Sequence, residues 1–369
     1  MLLLKVLFCA CAVSASTVSF ETLAGSAQNL PFLTPHDFDN NLLNLTEHGH
    51  GQLSERSVLA NLCSPTEWET LRTAWGQAAQ MINVATAAMN TIVTILTEPT
   101  QAYNLGRDAT AQIQWNTFCA IFGGLEVKKF PLTKEQTASM LSYAKYVRDV
   151  FQSMKDKMAV PANLDIELMC SDTWLAPTDP KGKPHPQPGY FWDSRTNPAS
   201  RPNAAVNGWI YTGVDGKCTP GDAGFTITQM WETSWDVITF CQSQFRNWIE
   251  QHQNRDTLQH VCAAPAPQGM RIDVLMDDKL ARTVVHELSH SVNAVGQGFH
   301  NEDGAYVSPI DDQPEGYGFF NVIKLADKPE LAVKNADSYS YFAAAVYCSR
   351  NNWSDGWAKP NDSPLRNRP

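Results

Sequence analysis

The chain has 369 residues, 43% hydrophobic and 18% charged, with a formal net charge of −10. That much apolar material can bury a substantial core and excludes a disordered polymer. Excess acid, with no basic cluster interleaved with aromatics, excludes a nucleic-acid partner by repulsion.

In chain order, "MLLLKVLFCACAVSAST" carries Lys5, a short apolar run and the small residues Val13-Ser14-Ala15. Residues 1–15 therefore read as a secretory signal peptide, too short and wrongly flanked for an anchor. No later stretch has eighteen uninterrupted apolar residues, so the expectation is a secreted, extracellular protein with no membrane anchor. Residues 16–60 are polar and aperiodic, an N-terminal arm or a propeptide. Cys9 and Cys11 leave with the signal. The other cysteines, Cys63, Cys119, Cys170, Cys218, Cys241, Cys262 and Cys348, form no CxxC pair. In an exported chain they give up to three disulfides and one thiol, with the pairing open. Asn44, Asn352 and Asn361 begin glycan acceptor triplets.

Residues 61–219 read as a helical region followed by proline-rich loops. Ser64-Pro65-Thr66-Glu67 supplies a capping box with proline at the first helical position. Leu71, Trp75, Ala78, Ile82, Ala85, Met89, Ile92 and Leu96 follow at helical spacing, to an end near Pro99. A second amphipathic helix starts near Thr133 and stops before Pro161. Residues 171–222 are rich in turns, with a strand at Trp209-Ile210-Tyr211 before a turn at Asp215-Gly216.

Residues 220–350 hold the strongest chemistry. "FTITQM" and "SWDVITFCQSQF" read as strands, or as a strand leading into a helix, and "RIDVLM" reads as another short strand. Asp277 or Asp278 can start a helix bearing "RTVVHELSHSVNAV". A last helix is expected over residues 333–348, followed by a tail from 351 to 369.

Four residues advance a helix by slightly more than one turn, so His286 and His290 share a face and can give nitrogens to one zinc ion. Glu287, beside the first ligand, is placed to take a proton from the water that the metal activates. A histidine continuation of the metzincin kind fails, because Asn293 and Gly296 stand where glycine and histidine are required. His300 and Glu315 remain as candidates further along.

His286-Glu287-Leu288-Ser289-His290, Tyr317-Gly318, Asn335-Ala336-Asp337-Ser338-Tyr339 and "VITFCQSQF" together resemble the deuterolysin-like, or aspzincin, metallopeptidases. That family includes a secreted fungal group related to peptidyl-Lys metalloendopeptidases. The resemblance covers roughly residues 220 to 350. It implies an α+β fold, mainly helical and zincin-like with a small sheet, and a zinc metalloendopeptidase acting on peptide or protein substrates. It also implies an aspartate as third zinc ligand, an oxyanion-stabilising role for Tyr317, and a ligand-orienting or substrate-pocket role for Asp337. The family's aspartate lies three residues before the tyrosine, where this chain has Pro314. A small loop insertion can bring Asp311 or Asp312 to the metal; Asp311 is preferred, with Asp312 the alternative. Ser340 replaces a glutamate of the lysine-selective relatives, so strict lysine selectivity is not expected. The competing reading is a catalytically silent secreted protein that binds zinc or an extracellular or cell-surface partner.

Overall fold

Glu67 donates its backbone N–H to Ser64 Oγ at 3.3 Å, and Ser64 donates its own to Glu67 Oε2 at 2.7 Å. This reciprocal box opens α1, Pro65–Thr97. The computed structural model describes residues 59–97, 109–123, 133–159, 165–194, 208–212, 218–219, 221–228, 236–300 and 306–360. The signal peptide, most of the N-terminal arm, Asn44, Asn361 and the turn at 215–216 lie outside these residues.

Helix α2, Ala109–Ile121, was not expected from the sequence. Buried Asn116 and Thr117 interrupt its apolar positions and blur the helical period. Helix α3, Lys134–Ala159, begins with a second reciprocal box between Thr133 and Gln136. At 33 residues α1 is long and apolar enough to cross a bilayer. Its stripe of Leu71, Ala78, Ile82, Ala85, Met89 and Ile92 is instead fully buried in the main core, with side chains from α3 and from the C-terminal helices.

Among the described residues, β1 (Leu59–Asn61), β2 (Ile166–Met169), β6 (Gly224–Ile227) and β7 (Asp236–Phe240) form one mixed sheet in the order β1-β2-β7-β6. The first three in that order run parallel, and β6 runs antiparallel along the edge. Strands β3 (Leu175–Ala176), β4 (Tyr190–Asp193) and β5 (Trp209–Tyr211) form a separate antiparallel sheet over a smaller cluster around Trp174. A short pair, β8 (Phe299–His300) and β9 (Tyr306–Val307), completes the strands.

From the end of β7 to β8 the chain is helical: α4 (Gln242–Gln253), α5 (Leu258–Val261), α6 (Ile272–Met276), α7 (Leu280–His290) and α8 (Val292–Val295). Three more follow, α9 (Phe319–Leu325), α10 (Pro329–Ala332) and α11 (Ala336–Tyr347). The strand expected at "RIDVLM" is α6. Ile272 and Met276 are buried while Val274, between them, is 70% exposed. A strand would put all three on one face, whereas a helix pairs only the first and last. Neither Asp277 nor Asp278 caps α7; Lys279 holds the N-cap position. The Asp277 carboxylate is instead engaged by the Tyr341 hydroxyl.

The fold is thus α+β, mostly helical, with small sheets in a zincin-like arrangement. Three disulfides join Cys63 to Cys170, Cys218 to Cys241 and Cys262 to Cys348, and Cys119 stays outside them. Part of the expected C-terminal tail is packed. Trp353 is buried and donates from Nε1 to the Cys348 carbonyl. Asn352 is 1% exposed, and its side-chain oxygen accepts from Ser354 N–H. A glycan on Asn352 would have to displace this packing.

Candidate metal centre

Val284, Val285 and Leu288 fix one face of α7 in the core with no exposure. The opposite face then carries His286 and His290 toward a cleft. Their Nε2 atoms face each other at 3.3 Å. Asp312 closes the group, with Oδ1 3.2 Å from His286 Nε2 and Oδ2 3.4 Å from His290 Nε2.

The outer ring nitrogens decide the tautomers. His290 Nδ1 lies 3.2 Å from the Ile310 carbonyl, which can only accept, so Nδ1 carries the proton there. His286 Nδ1 lies 2.8 Å from Asp337 Oδ1. Burial works against ionisation of Asp337, but the Arg282 guanidinium and His286 outweigh it and hold its carboxyl well below the usual range. Ionised Asp337 therefore also accepts, and both Nε2 atoms present lone pairs to one point. Asp312 Oδ1 is buried, and its polar neighbour at 3.2 Å is His286 Nε2. Two imidazole lone pairs and a carboxylate converging in this way call for positive charge between them. Burial pulls both imidazoles toward the neutral form, yet the Asp312 carboxylate, joined by Asp337 at His286, raises both, so with no ion between them protons compete with a metal for the same lone pairs. The donor set fits a divalent metal, and zinc is the common ion for two nitrogens and one carboxylate oxygen.

The third member is Asp312, not the preferred Asp311. Asp311 is tied into a parallel bridge with Asn335: its N–H donates to the Lys334 carbonyl, and its carbonyl accepts from Ala336 N–H. Its side chain turns back to accept from Asp312 N–H at 2.8 Å. Side chains alternate along extended backbone, so Asp312, two residues after buried Ile310, points to the histidines. The Asn335 side chain holds the following turn, accepting from Gln313 N–H and donating to the Gly316 carbonyl. Glu315 is 83% exposed and lies 3.8 Å from Lys328, away from the cluster.

Glu287 is 3% exposed and lies under the edge strand β6. Its Oε2 accepts from the Thr226 hydroxyl at 2.8 Å. Burial raises its pKa, partly offset by His286, His290 and the Thr226 hydrogen bond. Tyr317 stands at the rim, 53% exposed. Burial and then the Asp312 carboxylate raise its phenol, so it stays a protonated donor. The next residue, Gly318, has φ 77, and its N–H donates to Asp337 Oδ2 at 2.8 Å. Glycine tolerates that left-handed turn, which fixes Tyr317 beside the cluster.

Asp337 binds no metal in this arrangement; it orients His286. Two contributors escaped the sequence reading. Thr226 lies in a recognised strand, but its contact with Glu287 spans 61 residues. Arg282, one turn before His286, carried a signal: it shares the motif's helical face. Its Nη1 donates to Asp337 Oδ1 at 2.9 Å.

Two cavities flank the cluster. One, of 670 Å³, runs between β6 and the Ser308–Gln313 loop. The other, of 480 Å³, opens toward Tyr317, Arg282 and Tyr341. Glu287 and Asp312 border both. No family model matches the chain, and no curated protein matches it either. By its donor set alone, the partly buried His286–His290–Asp312 triad is a metal-binding centre consistent with a zincin-type metalloprotease.

Proposed function

We propose that the chain is a secreted zinc metalloendopeptidase of the deuterolysin-like kind. The observation that carries this is the convergence of His286 Nε2, His290 Nε2 and Asp312, with a buried carboxylate, Glu287, at the junction of two cavities. An aspartate ligand, a neighbouring tyrosine and an aspartate behind the first histidine are the features by which the sequence resembles that family. The departure is the place of the ligand, five residues before Tyr317 rather than three.

His286, His290 and Asp312 would hold zinc, which when bound supplies Lewis acidity, lowering the pKa of a water and polarising a carbonyl. Glu287 takes the proton of the attacking water on its carboxylate and delivers it to the departing amine. The raised pKa of Glu287 brings it nearer to neutrality, where an acid–base group works best. Thr226 holds that carboxylate in place. The Tyr317 hydroxyl donates to the negative charge that develops on the carbonyl oxygen. The Asp337 carboxylate keeps the His286 lone pair on Nε2. Three disulfides support export into an oxidising compartment.

Metal analysis and peptide-library mapping of the mature protein test this reading. One zinc per chain is expected, with cleavage abolished by a chelator and restored by zinc. Glu287→Gln should keep the zinc while cleavage falls by about 10²–10⁴-fold, the range for a lost general base. Stoichiometric zinc without cleavage of any peptide would identify a binding protein instead.

A further inference from the structure

The cavity on the Tyr317 side contains a charged side chain that the proposed reaction does not use. Arg282 reaches it from α7, with its side chain 13% exposed. Nη1 donates to Asp337 Oδ1 at 2.9 Å and to Ser340 Oγ at 3.1 Å. Nη2 lies 3.5 Å from the Asp277 carbonyl. The guanidinium carbon is 4.8 Å from the centre of the Tyr341 ring, within reach of a cation–π interaction. The Asp277 carboxylate acts electrostatically on the same group. Two acids, a hydroxyl, a carbonyl and an aromatic face thus surround one cation.

These are the components of a site for a basic side chain, already filled by the protein's own residue. The acid deepest in it is already engaged by three donors. Asp337 accepts from Arg282, His286 and Gly318 N–H, and is 4% exposed. Of the other acids bordering the cavity, Asp222 accepts from the Thr219 amide and hydroxyl, Asp277 from the Tyr341 hydroxyl and Glu287 from the Thr226 hydroxyl. Asp312 stands at the histidines, and Asp278 is not among the groups that contact Arg282. A lysine or arginine entering would meet a fixed positive charge and lose its water without gaining the buried carboxylate. What remains for an incoming side chain is the space in front of Arg282, walled in part by Trp248 and Tyr341.

We infer that Arg282 is a specificity-determining residue, an internal cation occupying the subsite a basic substrate side chain would otherwise take, so that the cavity selects uncharged side chains. The inference rests on the peptidase reading and names the substrate class of that site.

The experiment has two arms. In the first, the zinc-loaded mature protein is mapped on a peptide library. Lysine and arginine should not be enriched at either residue flanking the cleaved bond. Arg282→Ala and the better-filling Arg282→Gln should raise kcat/KM for lysine or arginine relative to leucine at one flanking position by about tenfold or more, the scale of a close charge pair. Enrichment of basic residues in the wild-type protein overturns the inference, as does an unchanged ratio in folded variants. In the second arm, guanidinium and n-butylammonium are titrated against wild type and Arg282→Ala, with thermal stability as the readout. Stabilisation of the variant alone, beyond what sodium at equal ionic strength gives, is expected; equal responses overturn the inference. If no peptide is cleaved, the peptidase reading fails and the second arm still decides whether Arg282 fills a cation site.

Discussion

At the scale of single residues, the centre works by assigning each polar atom one direction. Asp337 and the Ile310 carbonyl take the outer protons of the two imidazoles, leaving both Nε2 lone pairs for the ion. Neighbouring aspartates take opposite duties, Asp311 in the backbone bridge and Asp312 at the histidines. This gives a sharp expectation. Asp312→Ala should lower zinc affinity by two orders of magnitude or more, since a direct ligand matters at least as much as the outer groups worth about 10–100-fold. Asp311→Ala should keep stoichiometric zinc, because the contacts bridging it to Lys334 and Ala336 are made by its backbone. Zinc titration of the two purified variants against a fluorescent chelator separates them; the reverse order of affinities would move the ligand to Asp311.

At the scale of elements, the distance between β6 and α7 sets the position of Glu287. A Cβ added at Gly224 would stand 2.8 Å from the Thr239 carbonyl and 3.1 Å from Glu287 Oε1. The first neighbour is backbone of the paired strand and cannot swing away. Gly224→Ala should therefore push β6 outward or displace the Glu287 carboxylate. Activity should fall by about tenfold or more, since small misplacements at a reacting centre cost up to about 100-fold. Zinc content should stay at one per chain, because no ligand lies on β6. Cleavage kinetics and metal analysis of that single variant check both halves. The far end of α7 is held as firmly: Ser291 caps α8 and donates to buried Asp236, which also accepts from Asn293 N–H.

At the scale of the whole molecule, α1, α3, α7 and α11 share one buried cluster, so the helix bearing His286 and His290 is packed by chain from both sides of the proline-rich region. The Cys63–Cys170 bridge joins the start of α1 to the end of β2 across 107 residues. Closing so long a loop restricts the unfolded chain strongly, and bridges of this kind contribute about 2–4 kcal/mol. Replacing both cysteines with serine should lower the unfolding free energy by that amount in denaturant titration. The bridge lies outside the metal site, so metal stoichiometry under native conditions should hold. A loss below about 0.5 kcal/mol would mean that the native geometry offsets the entropic gain.

The sequence alone determined the local features: the capping box at Ser64, the helix start near Thr133, the apolar stripe of α1 and the shared face of His286 and His290, and it offered a strand leading into a helix as one reading of what became β7 and α4. Each depends on residues within a few turns, where covalent geometry fixes which side chains are neighbours. It misread α6, because a short apolar run carries both periods until a partner surface selects one. Only the tertiary structure chose between Asp311 and Asp312, since that choice depends on the pairing of Asp311 with Asn335. Tertiary structure likewise brought Thr226 under Glu287 and placed Arg282 against Asp337, contacts made across 61 and 55 residues. The chemistry of the site was written locally, but its third ligand and its charge balance were set where distant segments meet.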